Sequence, residues 1–160
     1  MSQHQRNVAL RLTPAEETIS LGRVGIRFLV TGAESNGSAA LFEVIVPAGE
    51  HLPSPTHSHD AFEETVYGLE GVLTWTVDGE QFPVGPGQAL CIPRGAVHRF
   101  DNFGHLDAKV LATISPAVIG PSFFREVSRE TAKASGGPPD RNRLAEILRR
   151  HGLTPIPPRE

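Results

Sequence analysis

The 160-residue sequence has one cysteine, one tryptophan, one tyrosine and no long apolar run. A lone thiol, Cys91, cannot close an intramolecular disulfide, which excludes a disulfide-stapled fold and suits a reducing cytoplasm. Cys91 lies in the apolar run ALCI at 89–92, so a buried, inert thiol is expected. No stretch approaches the roughly 20 apolar residues of a membrane span, and the polar opening MSQHQRN does not resemble a signal peptide. The expectation is a cytoplasmic protein with no membrane partner. Positive charge is scarce too: 15 Lys and Arg stand against 18 Asp and Glu, for a net charge of −3. That balance does not suit a nucleic-acid partner, and the few residues before the first expected strand cannot hold a helix-turn-helix.

What the chain has in quantity is punctuation, with 16 glycines and 14 prolines separating short extended segments. RVGIRFLV sets Val24, Ile26, Phe28 and Val30 on one face, and ALFEVIV follows the turn-rich GAESNGS. TVYGLEG and VLTWTVDGEQFPV supply further strands, with Asp78-Gly79 as a favoured type I′ hairpin pair. Residues 88–92, 97–101 and 109–115 supply three more. So many short strands at regular spacing predict an all-β sandwich or barrel. A single domain spanning 1–160 would bury roughly two-thirds of its unfolded surface, enough to fold without a metal. Any metal is then functional rather than structural.

The chemistry-bearing residues fall in two stretches. In HSHDAFEETVYGLEG, His57 and His59 flank one residue, Glu64 follows, and Gly71 closes the run. In the second, Gly87, Pro93, Gly95, His98 and Asn102 are closely spaced. Alternate side chains of a strand share a face, so His57 and His59 can reach one ion together. Glu64 has the wrong parity for the same strand, which requires a turn near residues 60–62, with His98 arriving from a third strand. Three imidazoles and a carboxylate suit a borderline divalent metal (Fe, Ni, Mn, Cu or Zn) with a position left open for substrate.

These stretches resemble the two motifs of the cupin superfamily, and in particular the small quercetin-dioxygenase-like group. The second motif matches throughout; the first departs only where the family has a glycine six residues before the first histidine and this chain has His51. The likeness spans about residues 40–115. It implies a cupin jelly-roll β-barrel (a double-stranded β-helix), with His57, His59, Glu64 and His98 as ligands of one divalent metal per chain, and Glu64 as the catalytic proton acceptor. It also implies a homodimer. Glu63 fits the family's alternative spacing, but the interval to Gly71 favours Glu64. Asn102 and Gly95 are expected to shape turns.

Beyond the motifs, residues 140–151 read as a C-terminal α-helix capped by Asp140, with Leu144, Ile147, Leu148 and His151 as its apolar stripe and Gly152 as its stop. The stripe is expected to pack on the barrel or on a second subunit. Phe123 and Phe124 are expected in core packing, with a cap over the barrel as the alternative, and Trp75, Phe100 and Tyr67 either line a pocket or fill the core. His4, His51, His105 and His151 read as surface histidines. The leading functional expectation is a metal-dependent dioxygenase acting on a small enolisable or hydroxylated organic molecule. The alternatives are a non-redox metal-dependent isomerase, lyase or hydrolase, and a barrel that binds a small ligand without catalysis.

Overall fold

The computed structural model describes residues 17–157; the polar opening and His4 lie outside the described residues. In chain order the elements are β1 (Ile19–Leu21), β2 (Val24–Val30), β3 (Ala40–Val46), β4 (His57–His59), β5 (Glu63–Glu70) and β6 (Leu73–Val77), then β7 (Glu80–Val84), β8 (Ala89–Ile92), β9 (His98–Asp101) and β10 (Ala108–Ser115), and finally α1 (Pro121–Ala132), α2 (Arg141–Arg150) and β11 (Leu153–Pro155). All pairings between these strands are antiparallel, and they form one sheet in the order β1-β2-β3-β10-β5-β8 and a second in the order β11-β4-β9-β6-β7.

Period-two alternation explains which residues fill the space between the sheets. On β3, Ala40, Phe42, Val44 and Val46 are buried while Leu41, Glu43 and Ile45 are only partly so. On β10, Ala108, Val110, Ala112 and Ile114 repeat the pattern. On β2 the expected inward set holds for Val24, Ile26 and Phe28, but a register shift between Phe28 and Val30 breaks the alternation and leaves Val30 half-buried. The β6–β7 hairpin turns at Asp78 and Gly79, both at positive φ (49° and 89°), as a type I′ pair requires. Gly71 also sits at positive φ (63°), and a Cβ there would lie 2.4 Å from the Asp107 carbonyl oxygen, so no other residue fits.

Two features depart from the sequence expectation. Cys91 is exposed, because the apolar run ALCI forms β8, the edge strand of the first sheet, where alternation turns Ile92 inward and Cys91 outward. And the segment PSFFREV is a helix: Pro121 occupies the first turn, where its missing N–H costs nothing, and Phe123, Phe124 and Val127 form a buried stripe. The second helix is as expected. The Asp140 carboxylate accepts from the N–H groups of Asn142 and Arg143, Leu144, Ile147 and Leu148 are buried, and Gly152 follows at φ 80°. Its stripe is covered by the chain itself, through α1 and β11.

Candidate metal centre

The local fold brings together residues that are far apart in sequence. β4 carries His57 and His59; residues 60–62 turn the chain; Glu64 lies on β5 in the opposite sheet. His98 on β9 pairs in register with His57. All four side chains are buried. One ring nitrogen from each of the three histidines lies within 4.8 Å of the others. The His57 and His59 Nε2 atoms are 3.1 Å apart, and the Glu64 Oε2 atom lies 3.4 Å from His98 Nε2 and 3.8 Å from His59 Nδ1. Glu63, by contrast, pairs with Arg94 away from this cluster, at 2.8 Å. Two other described histidines stand outside it: His51 bonds Asp101 on the outer side of the second sheet, and His151 bonds Glu126.

Hydrogen bonds set the tautomers. His57 Nδ1–H donates to the Pro55 carbonyl at 2.8 Å and His98 Nδ1–H to the Ala96 carbonyl at 2.9 Å, each two residues back. Both rings are thereby left with Nε2 as the free donor atom for a ligand bond, the arrangement seen when a backbone carbonyl orients a metal-binding imidazole. His59 Nδ1 is buried with no hydrogen-bond partner among the described residues. Ligand atoms about 2.0–2.2 Å from one ion stand about 3.0–3.4 Å apart at tetrahedral-to-octahedral angles, and the 3.1 Å and 3.4 Å spacings fall in that range. The donor set, three imidazole nitrogens and one carboxylate gathered at one point, therefore fits a divalent metal.

Electrostatics divides the three imidazoles. Burial, and then repulsion from a charged His98, lowers His57 to about 4 against the Pro55 hydrogen bond. Burial, with repulsion from His57 and His98, lowers His59 to about 2. Burial also pushes His98 down, but its hydrogen bond to Glu64, the Glu64 charge, the Ala96 carbonyl and Asp78 together raise it above its ordinary value. Without an ion, His98 is the imidazole that holds a proton, opposite the Glu64 carboxylate.

Residues 42–114, which include all four side chains, match the family model described as a Cupin domain. That segment carries the fold shared with cupin proteins. The chain is 38% identical to the polyketide synthase protein CurC of Streptomyces cyaneus over 93 residues, 58% of each chain. It is 33% identical to quercetin 2,3-dioxygenase of Bacillus subtilis over 79 residues, 49% of this chain and 22% of that one. The chain thus spans less than two-thirds of either relative. Among solved structures, a Thermotoga maritima protein described as a predicted oxalate decarboxylase shares 25% identity at a TM-score of 0.55, covering 62% of this chain and 90% of that one. KdgF from a Halomonas species, at 17% identity and a TM-score of 0.55 over 63% of this chain and 88% of that one, shares the jelly-roll fold.

The three histidines open into a cavity of about 70 Å³ between the sheets. Its wall is mostly aliphatic and aromatic, with Phe42, Trp75, Phe100, Phe123 and Phe124 supplying the rings, and no lysine or arginine among the described residues lines it. Of the three aromatics left open in the sequence, Trp75 and Phe100 face this cavity, while Tyr67 is exposed on the other face of the first sheet. The Trp75 indole N–H is buried without an acceptor among the described residues. Sequence reasoning missed the contribution of α1 and of Leu153 to the wall. The helical spacing of Phe123, Phe124 and Val127 could have revealed the first; three extended residues after Gly152 carry too weak a pattern to reveal the second. Asn102 does what its motif position suggested. Fully buried, it donates to the Val46, Pro47 and Leu106 carbonyls and accepts from the Gly104 N–H, stitching two loops together.

Proposed function

We propose that this protein is a metal-dependent dioxygenase acting on a small, uncharged, enolisable or hydroxylated organic molecule, with one divalent transition metal held by His57, His59, Glu64 and His98. The observation that carries the reading is the pairing of this donor set with an apolar wall to which the described residues contribute no cationic side chain. A pocket built for oxalate or a sugar phosphate needs lysine or arginine to offset the substrate's charge. This wall instead suits a neutral diketone, catechol or related ring. The similarity to quercetin 2,3-dioxygenase points in the same direction.

Each residue has a definite task in this reading. Glu64 is the one carboxylate facing the cavity among the described residues, and its Oε2 accepts the proton released as an enolisable substrate ionises. His98, with Nε2 given to the metal and Nδ1–H to the Ala96 carbonyl, takes no part in that transfer and fixes the metal beside the carboxylate. Trp75 offers its uncommitted indole N–H to a substrate oxygen. The aromatic wall excludes water, which strengthens these interactions. A bound redox-capable ion supplies Lewis acidity and the electron-transfer chemistry that O₂ requires.

The cavity also limits size. Its volume of about 70 Å³ is roughly half of the 150 Å³ that admits benzene in an apolar core. Compact diketones are therefore expected to outperform flavonols unless α1 moves outward. The similarity to CurC supports one further reading, a non-redox rearrangement of an enolisable polyketide-like compound by the same residues. Oxygen-uptake assays on diketones, catechols and flavonols, with Fe, Mn, Ni, Cu and Zn forms compared, separate the two. Turnover that needs O₂ and fails with Zn supports the dioxygenase. Equal turnover under strict anaerobiosis, or with Zn alone, contradicts it and favours the rearrangement.

A further inference from the structure

The strand that carries His57 and His59 is only three residues long and has unequal neighbours. On one side, β9 meets β4 at a single partner pair, His57 with His98, supplemented by the Gly95 N–H donating to the His59 carbonyl at 2.9 Å. On the other side, β11 pairs along the whole of β4: Leu153 with His59, Thr154 with Ser58, and Pro155 with His57. The ladder runs on beyond both strands, since the Ile156 N–H donates to the Thr56 carbonyl at 2.7 Å. Hydrogen-bonded pairs alternate along an antiparallel ladder, so Thr154 and Ser58 form the next such pair, and Pro155 falls where its missing N–H is not needed. Side chains add a second tie, as the Thr154 hydroxyl donates to the Asp60 carboxylate at 2.5 Å, just where the chain turns from β4 towards Glu64.

β11 is itself anchored. Gly152, at φ 80°, turns the chain directly from α2 into β11, and α2 is fixed by its buried Leu144, Ile147 and Leu148. Glu126 on α1 pairs with both Arg150 and His151 at the end of α2. Leu153 is buried and reaches the wall of the histidine cavity.

We infer that β11 is a positioning strand of the metal centre, with Thr154, through its backbone ladder and its hydroxyl tie to Asp60 together, holding His57 and His59 in ligand geometry although no atom of the tail is a ligand. This rests on the metal-binding reading above. The tail of this chain is then a functional part of the site, and whatever displaces it lowers metal affinity.

The test uses the full chain and Co²⁺ as probe, read by competition with a chelator and by the visible absorption spectrum, which reports ligand geometry. Thr154→Pro removes the ladder N–H, and Thr154→Val removes only the hydroxyl tie to Asp60. The expected result is a loss of about 10-fold or more in Co²⁺ affinity for Thr154→Pro, a smaller loss for Thr154→Val, and an altered spectrum, with β-sheet circular dichroism retained. A folded Thr154→Pro protein with Co²⁺ affinity within about twofold of wild type, a margin well short of the effect such supporting contacts have, overturns the inference and leaves the metal reading standing. Should Thr154→Pro fail to fold, Thr154→Val decides: weaker binding with a changed spectrum supports the inference, and wild-type binding overturns it. Wild-type protein that takes up no Co²⁺ removes the metal reading and this inference with it.

Discussion

His57, His59 and His98 share one pocket but not one protonation state, and the difference has measurable consequences. His57 and His59 are held neutral by burial, so the unfolded chain binds more protons than the folded one once pH drops below their ordinary value of 6.5. Stability of the metal-free protein should therefore fall from pH 6.5 downwards, with the His57 contribution exhausted near pH 4 and that of His59 near pH 2. His98 works in the opposite sense: its contribution is present below 6.5 and is lost as pH rises through its raised value. Urea titrations of metal-free protein between pH 7 and 4 check the sum, and stability that holds or rises on acidification contradicts the assignment. Metal must displace the His98 proton, so binding at pH 6.5 should release more than about half a proton per ion. Calorimetry in buffers of differing ionisation enthalpy reads that number, and no release counts against it. Glu64→Gln is expected to keep part of the metal affinity and lose more of the turnover, because an amide ligates weakly and cannot take a proton. Equal losses in both would remove Glu64 from the proton-accepting role. These residues were legible in the sequence because their spacing is dictated by strand parity and tight turns. The choice of Glu64 over Glu63 needed the interval to Gly71, and the fold turns Glu63 towards Arg94 instead.

At the scale of elements, legibility followed the strength of the pattern. Segments with clean alternation, such as β3 and β10, and the capped helix α2 were read within a residue or two of their ends. α1 was read only as a place where two phenylalanines pack, since Glu, Arg and Ser interrupt a stripe that helical geometry brings together. β1 and β11, at three residues each, are too short to carry a period; β1 takes its strand character from a tight hairpin with β2, and β11 from pairing with the distant β4. Cys91 was misplaced because a run of four apolar residues conceals which member faces outward on an edge strand. α1 yields a prediction about both stability and function. Phe124 packs its ring against Phe28 and Phe42, with centroids 5.6 and 5.3 Å away, and faces the cavity as well. Phe124→Ala should cost about 3–5 kcal/mol in denaturant unfolding and enlarge the cavity enough to bind bicyclic ligands better than wild type does. A loss below about 1 kcal/mol, where surface substitutions lie, or an unchanged preference for small ligands, would show that α1 does not form the wall.

For the whole molecule, the outer face of the first sheet carries partly or fully exposed apolar side chains among the described residues. Leu41 and Ile45 on β3, Leu111 on β10, and Tyr67 and Leu69 on β5 lie on that face, and Tyr67 and Leu69 are exposed. Neighbouring apolar side chains on an open sheet face favour association, and a two-fold dimer is the simplest closed arrangement. Sedimentation equilibrium at micromolar concentration should give a dimer that Leu111→Arg converts to monomer; wild-type monomer at that concentration contradicts the proposal. The central claim is that the fold gathers His57, His59, Glu64 and His98 around a metal. Elemental analysis of protein purified without chelator tests it most directly, on wild type and His98→Ala side by side. The account predicts about one divalent transition metal per wild-type chain and a steep loss in the variant. Wild-type protein that stays metal-free even after loading, or a folded His98→Ala protein with undiminished occupancy, would contradict it.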